Sequence, residues 1–297
     1  MLSILIPTYN HSIKNLVYSI HKQCIKADLT FEILIYDDAS TKKEIVKNNL
    51  EVKKLSNVCY NVCKKNIGRS AIRNRLWKLA EYNWLLFLDA DVSIKSNGFI
   101  KNYIQAVEQN SEVIYGGLQY NKKIPEHNKI LRWKYGKKRE VKSKKKRQNN
   151  SYLNLLSCNF LILKDIIKYV PFNEMIPKEA NEDTLFSYDL KLKKINVVHI
   201  DNPVEHTNLE SSSKFIEKSL FYSKCSLFFV ENKLMDKDYI KIIKIYYTLK
   251  RMKLKFLLST LYKLLETFLK LQLRSKNPSM FIFDLYRLSY LCYITKD

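Results

Sequence analysis

The regular alternation of continuous apolar segments with amphipathic ones constrains the fold of this chain more than any other feature. Four apolar segments in the first third predict β-strands: LSILIP (2–7), FEILIYDD (31–38), NVCYNVC (57–63) and WLLFLD (84–89). The segments between them place apolar residues at helical spacing, as in HSIKNLVYSIHKQC. Apolar strands separated by helices are typical of a mostly parallel sheet covered on both faces. We therefore predict an α/β fold.

Polar side chains follow three of these strands where each strand ends. They are Thr8, Tyr9 and Asn10 after the first, Asp37 and Asp38 after the second, and Asp89 and Asp91 after the fourth. One aspartate pair could be a solvated acidic turn, because a carboxylate buried without a partner costs several kcal/mol. Ligands of such sheets bind outside the carboxyl ends of the strands. Three polar clusters at one edge therefore favour a binding site.

The composition limits the class of protein and of partner. The chain has 297 residues and 46% hydrophobic residues, which is enough for one large domain or two modest ones. Its net charge of +23 indicates an anionic partner, such as nucleic acid, a phosphorylated substrate or a lipid surface. Part of the charge reflects a general bias towards Lys, Asn, Ile and Tyr. Neither a dinucleotide-binding nor a P-loop glycine motif is present.

The six cysteines lack paired CxxC spacing, which makes a zinc knuckle unexpected. The first strand begins at Leu2, so we expect no targeting segment ahead of it. No window approaches the ~18 uninterrupted apolar residues of a spanning helix. These features predict free thiols in a reducing cytoplasm.

The character of the chain changes in its second half. IYGGLQY (114–120), SCNFLILK (157–164) and INVVHI (195–200) predict strands, and EDTLFSYDLKLKK (182–194) predicts an amphipathic helix. The basic segment Lys134 to Asn150 is interpreted as a mobile surface loop, with phosphate binding as the alternative. After Asn208 the pattern predicts helices to the end.

The helical tail combines positive charge with an apolar stripe. Residues 239–274 contain nine Lys or Arg and a single acidic residue, Glu266. The stripe recurs at spacings of three and four: Leu254, Leu257, Leu261, Leu265, Phe268 and Leu271. Two interpretations stay open. The stripe packs on the catalytic domain or on another protomer in a homo-oligomer, or it holds the protein at the inner face of an anionic membrane.

Six motifs occur in an order that resembles a known family. They are ILIPTYN, EILIYDDAS, NIGRSAIRNRLWKLA, FLDADV, NEDTLFSYDL and DNPVEH, and they extend from Leu2 to His206. Together they resemble the inverting GT-A glycosyltransferases of family 2. The resemblance implies a Rossmann-like, mostly parallel sheet with flanking helices. It implies a nucleotide-sugar-binding half over 1–116 and an acceptor-binding, catalytic half over 117–207, followed by a C-terminal helical region over 208–297.

The resemblance implies that the nucleoside binds beyond the first two strands. Pro7, Thr8 and Tyr9 match the loop that cups the nucleoside. Asp38 matches the aspartate that recognises uracil or another base, with Asp37 beside it.

It also implies a diphosphate site. Arg69 and Arg73 lie in the helix from which a basic residue faces the nucleotide. Asp89, Ala90 and Asp91 match the D-x-D motif that holds the ribose and a divalent metal on the diphosphate.

The remaining implied roles belong to the second half of the motif set. His206 matches a histidine that completes the metal shell with Asp89 and Asp91, and Asp183 matches the general base. Glu182 is its rival, because spacing alone does not separate adjacent carboxylates. The chain departs from the family at Asn181 and Ala39, where glycine is usual. We expect the Asn181 change to reshape the acceptor loop and the Ala39 change to matter little.

The chemistry of these residue types agrees with the resemblance. A nucleoside diphosphate leaving group carries concentrated negative charge, which a hard cation neutralises. Oxygen ligands suit Mg²⁺ or Mn²⁺, and an imidazole ligand favours Mn²⁺. A sugar hydroxyl needs a base near pH 7, and an acidic residue at a helix start is also ordinary capping.

The sequence thus predicts a metal-dependent inverting glycosyltransferase with a UDP-sugar donor. The expected acceptor is a glycan or lipid-linked glycan in cell-envelope polysaccharide synthesis. One alternative, a sugar nucleotidyltransferase, would need a basic glycine-rich loop where PTYNHS stands. The other is a non-catalytic nucleic-acid-binding protein, but the basic residues are not interleaved with aromatics in a recognisable module. No nucleic acid partner is therefore expected.

Overall fold

The computed structural model describes residues 1–107 and 111–295. Contacts divide the chain into two compact units. The α/β unit comprises Met1–Asn121 and Val141–Asn208, and the helical unit comprises Lys122–Glu140 and Leu209–Asp297. The sequence analysis had assigned all of 117–207 to the catalytic fold, whereas the structure groups 122–140 with the C-terminal helices. Leu131 gives the physical reason, because it is buried in the same apolar cluster as Phe215 and Tyr262.

A seven-stranded sheet forms the centre of the α/β unit. Its strands are β1 (Leu2–Thr8), β2 (Phe31–Asp37), β3 (Val58–Val62), β4 (Trp84–Leu88), β6 (Val113–Tyr115), β8 (Asn159–Leu163) and β9 (Val197–His199). They lie in the order β3-β2-β1-β4-β8-β6-β9. β8 runs antiparallel to both of its neighbours, and the other pairs are parallel. The predicted α/β, mostly parallel fold is confirmed.

Helices pack against the sheet, because their apolar residues recur on one face and that face is buried there. They are α1 (Lys14–Lys26), α2 (Lys43–Asn49, continued as a 3₁₀ turn over Leu50–Lys54), α3 (Arg69–Leu79), α4 (Phe99–Val107), α7 (Lys164–Tyr169) and α8 (Glu182–Leu192). In α1 the buried residues are Leu16, Val17, Ile20 and Cys24, at spacings of one, three and four. β1 is buried through Ile4, Leu5 and Ile6. This packing places the carboxyl ends of β1, β2 and β4 at one edge.

A second, three-stranded sheet lies in the α/β unit. It contains β5 (Val92–Ser93), β7 (Leu118–Tyr120) and β10 (Val204–His206), in the order β5-β10-β7. The predicted strand IYGGLQY is therefore divided between β6 and β7 in two different sheets. Gly117 has φ +104, a conformation open mainly to glycine, and this lets the chain leave the first sheet.

The basic segment 134–150 is helical, so its interpretation as a mobile loop is wrong. It contains the end of α5 (Ile130–Tyr135), a π-helical turn (Gly136–Glu140) and α6 (Lys144–Gln148). Within the α/β unit, Arg147 is buried and donates hydrogen bonds to the carbonyls of Lys142 (2.5 Å), Ile200 (2.5 Å) and Gly116 (3.4 Å). The buried Arg147 guanidinium thus anchors a segment that its basic composition alone would predict to be exposed to solvent.

The helical unit contains four long helices after Asn208: α9 (Ser212–Glu231), α10 (Lys241–Arg251), α11 (Lys255–Leu273) and α12 (Met280–Ile294). One cluster of buried side chains includes Phe215, Tyr262 and Phe283. A second includes Leu227, Tyr246 and Leu291. Among the described helices, none has both the length and the apolar content that crossing a bilayer requires.

Candidate active site

The loops that follow β1 and β2 are tied together by polar contacts. The backbone N–H of Asn10 donates to the Ser40 hydroxyl at 2.7 Å, and the Asn10 side-chain oxygen accepts from the backbone of Thr41 and Lys42. Tyr9 stands at this edge with an exposed ring. Thr8 is buried and its carbonyl accepts from the backbone of Asp38. The pair of loops is thereby fixed, with one aromatic face available to a ligand.

Asp37 and Asp38 lie at the end of β2 and serve different contacts. Asp37 is fully buried and accepts hydrogen bonds from the Tyr60 hydroxyl (2.7 Å) and the backbone N–H of Ser40 (2.6 Å). Its carboxylate holds the turn after β2. Asp38 accepts from the backbone N–H groups of Ile67 (2.7 Å) and Gly68 (3.0 Å), and burial raises its pKa. Asp38 therefore shapes the entry into α3.

Gly68 begins α3 in a conformation that a side chain would disturb. Its φ is +91, and a Cβ there would lie 2.9 Å from the Cβ of Lys178. The loop that precedes α8 thus packs directly on the start of α3, because glycine leaves room for it. This contact brings the beginning of α8 towards the end of β4.

Arg73 of α3 joins the end of β4 to the start of α8. Its side chain is 5% exposed, and it donates to Asp89 Oδ1 at 2.7 Å and to Glu182 Oε1 at 2.6 Å. Arg69 Nη1 lies 3.8 Å from Glu182 Oε2. Burial raises the pKa of Asp89, the Asp91 and Glu182 charges add to this, and Arg73 opposes it. The first aspartate of the D-x-D motif is thus held by a cation of the chain.

The second aspartate faces a histidine instead. Asp91 Oδ2 lies 3.4 Å from His206 Nε2. The small sheet creates this contact, because β10 pairs with β5 so that His206 is opposite Val92. Thr207 donates from its backbone (2.9 Å) and its hydroxyl (2.8 Å) to the Asp91 carbonyl. Tyr120 of β7 stacks on the imidazole, with ring centroids 5.5 Å apart.

The predicted metal ligands are thus assembled in part. Within residues 1–107 and 111–295, no three His, Cys, Asp or Glu side chains are grouped so that they could hold an ion. Asp91 and His206 lie together, while Asp89 is engaged by Arg73. Two side-chain ligands still fit Mg²⁺ or Mn²⁺ bound to a diphosphate, because such ions take one or two carboxylates and fill their shell with phosphate oxygens and water.

The adjacent carboxylates at the start of α8 differ sharply. Glu182 is buried and paired with Arg73. Asp183 is partly buried, and its hydrogen bonds among the described residues come from the backbone (2.7 Å) and hydroxyl (3.4 Å) of Thr184. Burial, reinforced by the Glu182 charge, raises the pKa of Asp183 to about 6. A carboxylate with this pKa, and with no ion pair to another described residue, suits proton abstraction near neutral pH.

A cavity of about 650 Å³ lies on the outer flank of α3. Tyr36 and Arg75 line it with Lys65, Lys78 and Lys178, and the Arg75 guanidinium lies 4.9 Å from the centre of the Tyr36 ring. None of the carboxylates at the ends of β4 and α8 lines this cavity. The candidate active site is therefore the sheet edge and not this cavity.

A comparison of the sequence with models of known protein families identifies the family. Residues 3–170 match the family model described as glycosyl transferase family 2. The chain belongs to this family. The predicted resemblance is thus confirmed, and the match extends over more than half of the chain.

Several solved structures share the fold. S. aureus TarS (residues 1–349) has 22% identity and a TM-score of 0.52 over 75% of this chain, which spans 64% of the TarS chain. The same fragment in complex with UDP-GlcNAc gives 21% identity and a TM-score of 0.53, with 75% and 66% of the two chains covered. The mannosyltransferase PcManGT from Pyrobaculum calidifontis, in complex with GDP-Man and Mn²⁺, has 12% identity and a TM-score of 0.56. The alignment covers 77% of this chain and 64% of the PcManGT chain. No curated protein sequence matches.

Two residues of this family 2 site were not named in the sequence analysis: Tyr120 and Lys178. Tyr120 follows the Gly116-Gly117 pair, and its position beside His206 depends on a three-residue strand that has no detectable period of its own. Asn10, which the sequence analysis placed in the polar cluster after the first strand, has φ +55, a conformation that asparagine adopts more readily than most residues.

Proposed function

We propose that this family 2 chain transfers a sugar from a UDP-linked donor to an acceptor hydroxyl with inversion at the anomeric carbon. The observation that carries the proposal is the Arg73 bridge between Asp89 and Glu182. It brings the D-x-D motif and the start of α8 to one edge of the sheet. Donor-binding and proton-accepting groups are then within reach of the same sugar.

The donor would lie across the carboxyl ends of β1, β2 and β4. The exposed Tyr9 ring offers a stacking surface for the base. Asp38 already accepts two backbone hydrogen bonds, and its remaining lone pairs can accept from a base N–H. Pro7 and Thr8 hold the first loop in place, and Arg69 is the partly exposed cation nearest to Glu182.

Asp91 and His206 would hold Mn²⁺ or Mg²⁺ together with the donor diphosphate. When bound, the ion would neutralise the negative charge of the departing nucleotide. Arg73 keeps Asp89 in place beside it, so the motif is rigid before the donor arrives.

Asp183 would act as the base in a single displacement. The acceptor oxygen forms a bond to the anomeric carbon while the bond from that carbon to the diphosphate oxygen breaks. Asp183 takes the hydroxyl proton, and UDP departs on the opposite face of the sugar. Glu182 is the weaker candidate, because its charge is engaged by a buried guanidinium.

We further propose that the acceptor is a glycan or lipid-linked glycan of the cell envelope and that the reaction takes place on the cytoplasmic side. All six cysteines are unpaired, which is typical of a reducing compartment.

A donor screen tests the reaction. Purified full-length protein is incubated with individual nucleotide sugars, with Mn²⁺ or with a chelator, and release of free nucleotide is measured. We expect slow hydrolysis of one UDP-sugar that the chelator abolishes. Release of pyrophosphate from a nucleoside triphosphate and a sugar phosphate would instead identify a nucleotidyltransferase. Absence of binding to every nucleotide, with tight binding to random single-stranded DNA, would overturn the proposal.

A further inference from the structure

Helix α11 is apolar on two opposite faces. Tyr262, Leu269 and Leu273 are buried in the cluster that also contains Phe215 and Phe283. The opposite face carries six large apolar side chains that are each between 43% and 76% exposed: Phe256, Leu257, Leu264, Leu265, Phe268 and Leu271. We call these six residues the outer face of α11.

The outer face differs from the stripe expected from spacing alone. Leu254 and Leu261 belonged to that stripe, but both are only partly exposed, and Leu261 packs against the inner cluster. Phe256 and Leu264 replace them as exposed members. Helices that are apolar all round are normally buried in a core or in lipid.

The exposed area is large for a soluble surface. Six such side chains leave on the order of 700 Å² of apolar surface, whereas the largest patch of a typical monomer is about 300–600 Å². Phe281, in the first turn of α12, is a further strongly exposed aromatic residue. A patch of this size marks a surface that is covered in the functional state.

The charges around the outer face identify the covering partner. Lys263 on α11 and Arg274, which directly follows the helix, are exposed beside it. Residues 239–274 hold nine Lys or Arg against Glu266 alone, and Glu266 is paired with Lys270. A second copy of this chain would bring like charges together around a shared apolar contact. An anionic bilayer surface instead offers acyl chains to the apolar residues and negative headgroups to the cations.

We propose that the outer face of α11 inserts into the surface of an anionic membrane and holds the protein there peripherally. The Phe and Leu side chains enter the boundary between headgroups and acyl chains. Lys263 and Arg274 contact the headgroups, and each cation near such a surface strengthens attachment about fivefold.

Sedimentation of the full chain with lipid vesicles tests the proposal. Vesicles of phosphatidylglycerol mixed with phosphatidylcholine are compared with vesicles of phosphatidylcholine alone, at low and at high salt. We expect binding to the anionic vesicles that is at least about tenfold tighter than to neutral ones and that falls as salt rises.

A matched pair of variants locates the contact. Leu264→Gln with Phe268→Gln removes two apolar side chains from the outer face without changing charge. Ile25→Gln with Leu192→Gln makes the same change at exposed positions of the α/β unit. We expect the first pair to weaken vesicle binding about tenfold or more and the second pair to leave it within about twofold.

A fluorescent variant keeps the proposal testable if the glutamine variants fail to fold. Phe268→Trp places a reporter on the outer face, and its emission should shift to the blue and be quenched by brominated lipid in anionic vesicles. Unquenched emission would contradict the proposal, as would equal affinity for neutral and anionic vesicles. A dimer that dissociates on Leu264→Gln with Phe268→Gln, without vesicle binding, would show that a second copy covers the face.

Discussion

At the scale of single residues, tertiary contacts separate groups that the sequence leaves equivalent. Glu182 and Asp183 are neighbours at the start of α8, yet Glu182 is buried against Arg73, whereas Asp183 accepts hydrogen bonds from Thr184 in its own turn. Asp89 and Asp91 are separated by one residue, yet one contacts Arg73 and the other His206. In each pair, one carboxylate is ion-paired with the buried Arg73 guanidinium. The other carboxylate lies beside a weaker partner, which is Thr184 for Asp183 and His206 for Asp91.

The first prediction concerns Asp183. Asp183→Asn should lower the transfer rate by about 10²–10⁴-fold and leave UDP binding nearly intact, because a positioned base contributes that much. With a pKa of about 6, the base is active only above that pH, so the wild-type rate should fall below pH 6. Transfer rates across pH, with UDP affinity measured separately, check both effects.

Asp189 provides the control, because burial also raises its pKa to about 6 on the same helix. Asp189→Asn should leave the transfer rate unchanged, and it should also leave unchanged the fall of that rate below pH 6. A raised carboxyl pKa in the folded state means that stability is lost as pH rises from about 4 to 6. Both variants should therefore be more stable than wild type at pH 7 and lose that advantage below about pH 4. Normal turnover by Asp183→Asn and loss by Glu182→Gln would exchange the two roles.

The second prediction concerns the metal. Asp91→Asn should abolish the effect of Mn²⁺ on UDP affinity, because a charged ligand is lost, and His206→Ala should weaken it less. Titration of Mn²⁺ in the presence of UDP, followed by electron paramagnetic resonance, measures this without turnover. Asp201→Asn, at an exposed position before β10, is the control. Undiminished Mn²⁺ binding by Asp91→Asn would show that the ion lies elsewhere.

The third prediction concerns Ala39, which the sequence analysis expected to matter little. Its φ is +61, in the left-handed region that disfavours a Cβ. Ala39→Gly should therefore raise the free energy of unfolding by about 1 kcal/mol. Ala71→Gly, inside α3, should lower it by about the same amount. Urea denaturation of both variants measures the difference, and destabilisation by Ala39→Gly would contradict the assigned backbone conformation.

At the scale of elements, the segment between β7 and β8 shows how one buried side chain overrides composition. Lys144–Gln148 form α6, and four of its five residues are basic. Arg147 is the buried member, lying over the Tyr115 ring and donating to three backbone carbonyls. The guanidinium supplies a donor to each of these carbonyls, and the Gly116 carbonyl also accepts from the backbone N–H of Asn202 at 2.9 Å.

The fourth prediction follows from this anchor. Arg147→Met should lower the free energy of unfolding by about 2–4 kcal/mol, because the carbonyls of Lys142 and Ile200 lose the guanidinium donor. Lys146→Met, at the exposed neighbouring position of α6, should change it by less than about 0.5 kcal/mol. Urea denaturation compares the two variants, and hydrogen exchange of α6 should rise only in the first. Equal effects of both substitutions would mean that the segment is not anchored through Arg147.

At the scale of the whole molecule, the chain leaves and re-enters each unit. Residues 122–140 belong to the helical unit although they lie between strands of the α/β unit in sequence. Leu131 is fully buried, and Tyr135 packs beside Phe215 at 5.1 Å between ring centroids. A cut between the units therefore cannot be made at a single peptide bond.

The fifth prediction follows. A chain that ends at Asn208 should aggregate or bind the dye ANS, because Leu131 and Tyr135 lose the apolar partners that α9 supplies. The same shortened chain with Leu131→Ser and Tyr135→Ser should bind less dye. ANS fluorescence and light scattering compare the two. Equal dye binding would show that 122–140 do not need the C-terminal helices.

The first half of the central sheet and the family could be predicted from the sequence alone. Continuous apolar strands and amphipathic helices specify their own secondary structure through local periodicity, so β1 to β4 and α1 to α3 lie where the pattern predicted them. The polar residues at the strand ends were predictable for the same reason, because a parallel sheet brings those ends to one edge. The family match over 3–170 confirms this part of the analysis.

The pairing of the charged groups depends on long-range packing and could not be predicted from the sequence. Arg73 is 16 residues from Asp89 and 109 residues from Glu182 in sequence. No local pattern therefore predicts that its guanidinium contacts both carboxylates. The β10–β5 pairing that places His206 beside Asp91 involves strands of three and two residues, which are too short for any period. The exposure of the outer face of α11 likewise depends on which side of the helix packs against the apolar cluster of the helical unit. Long-range packing sets the burial of each charge, and burial sets which carboxylate is free to react.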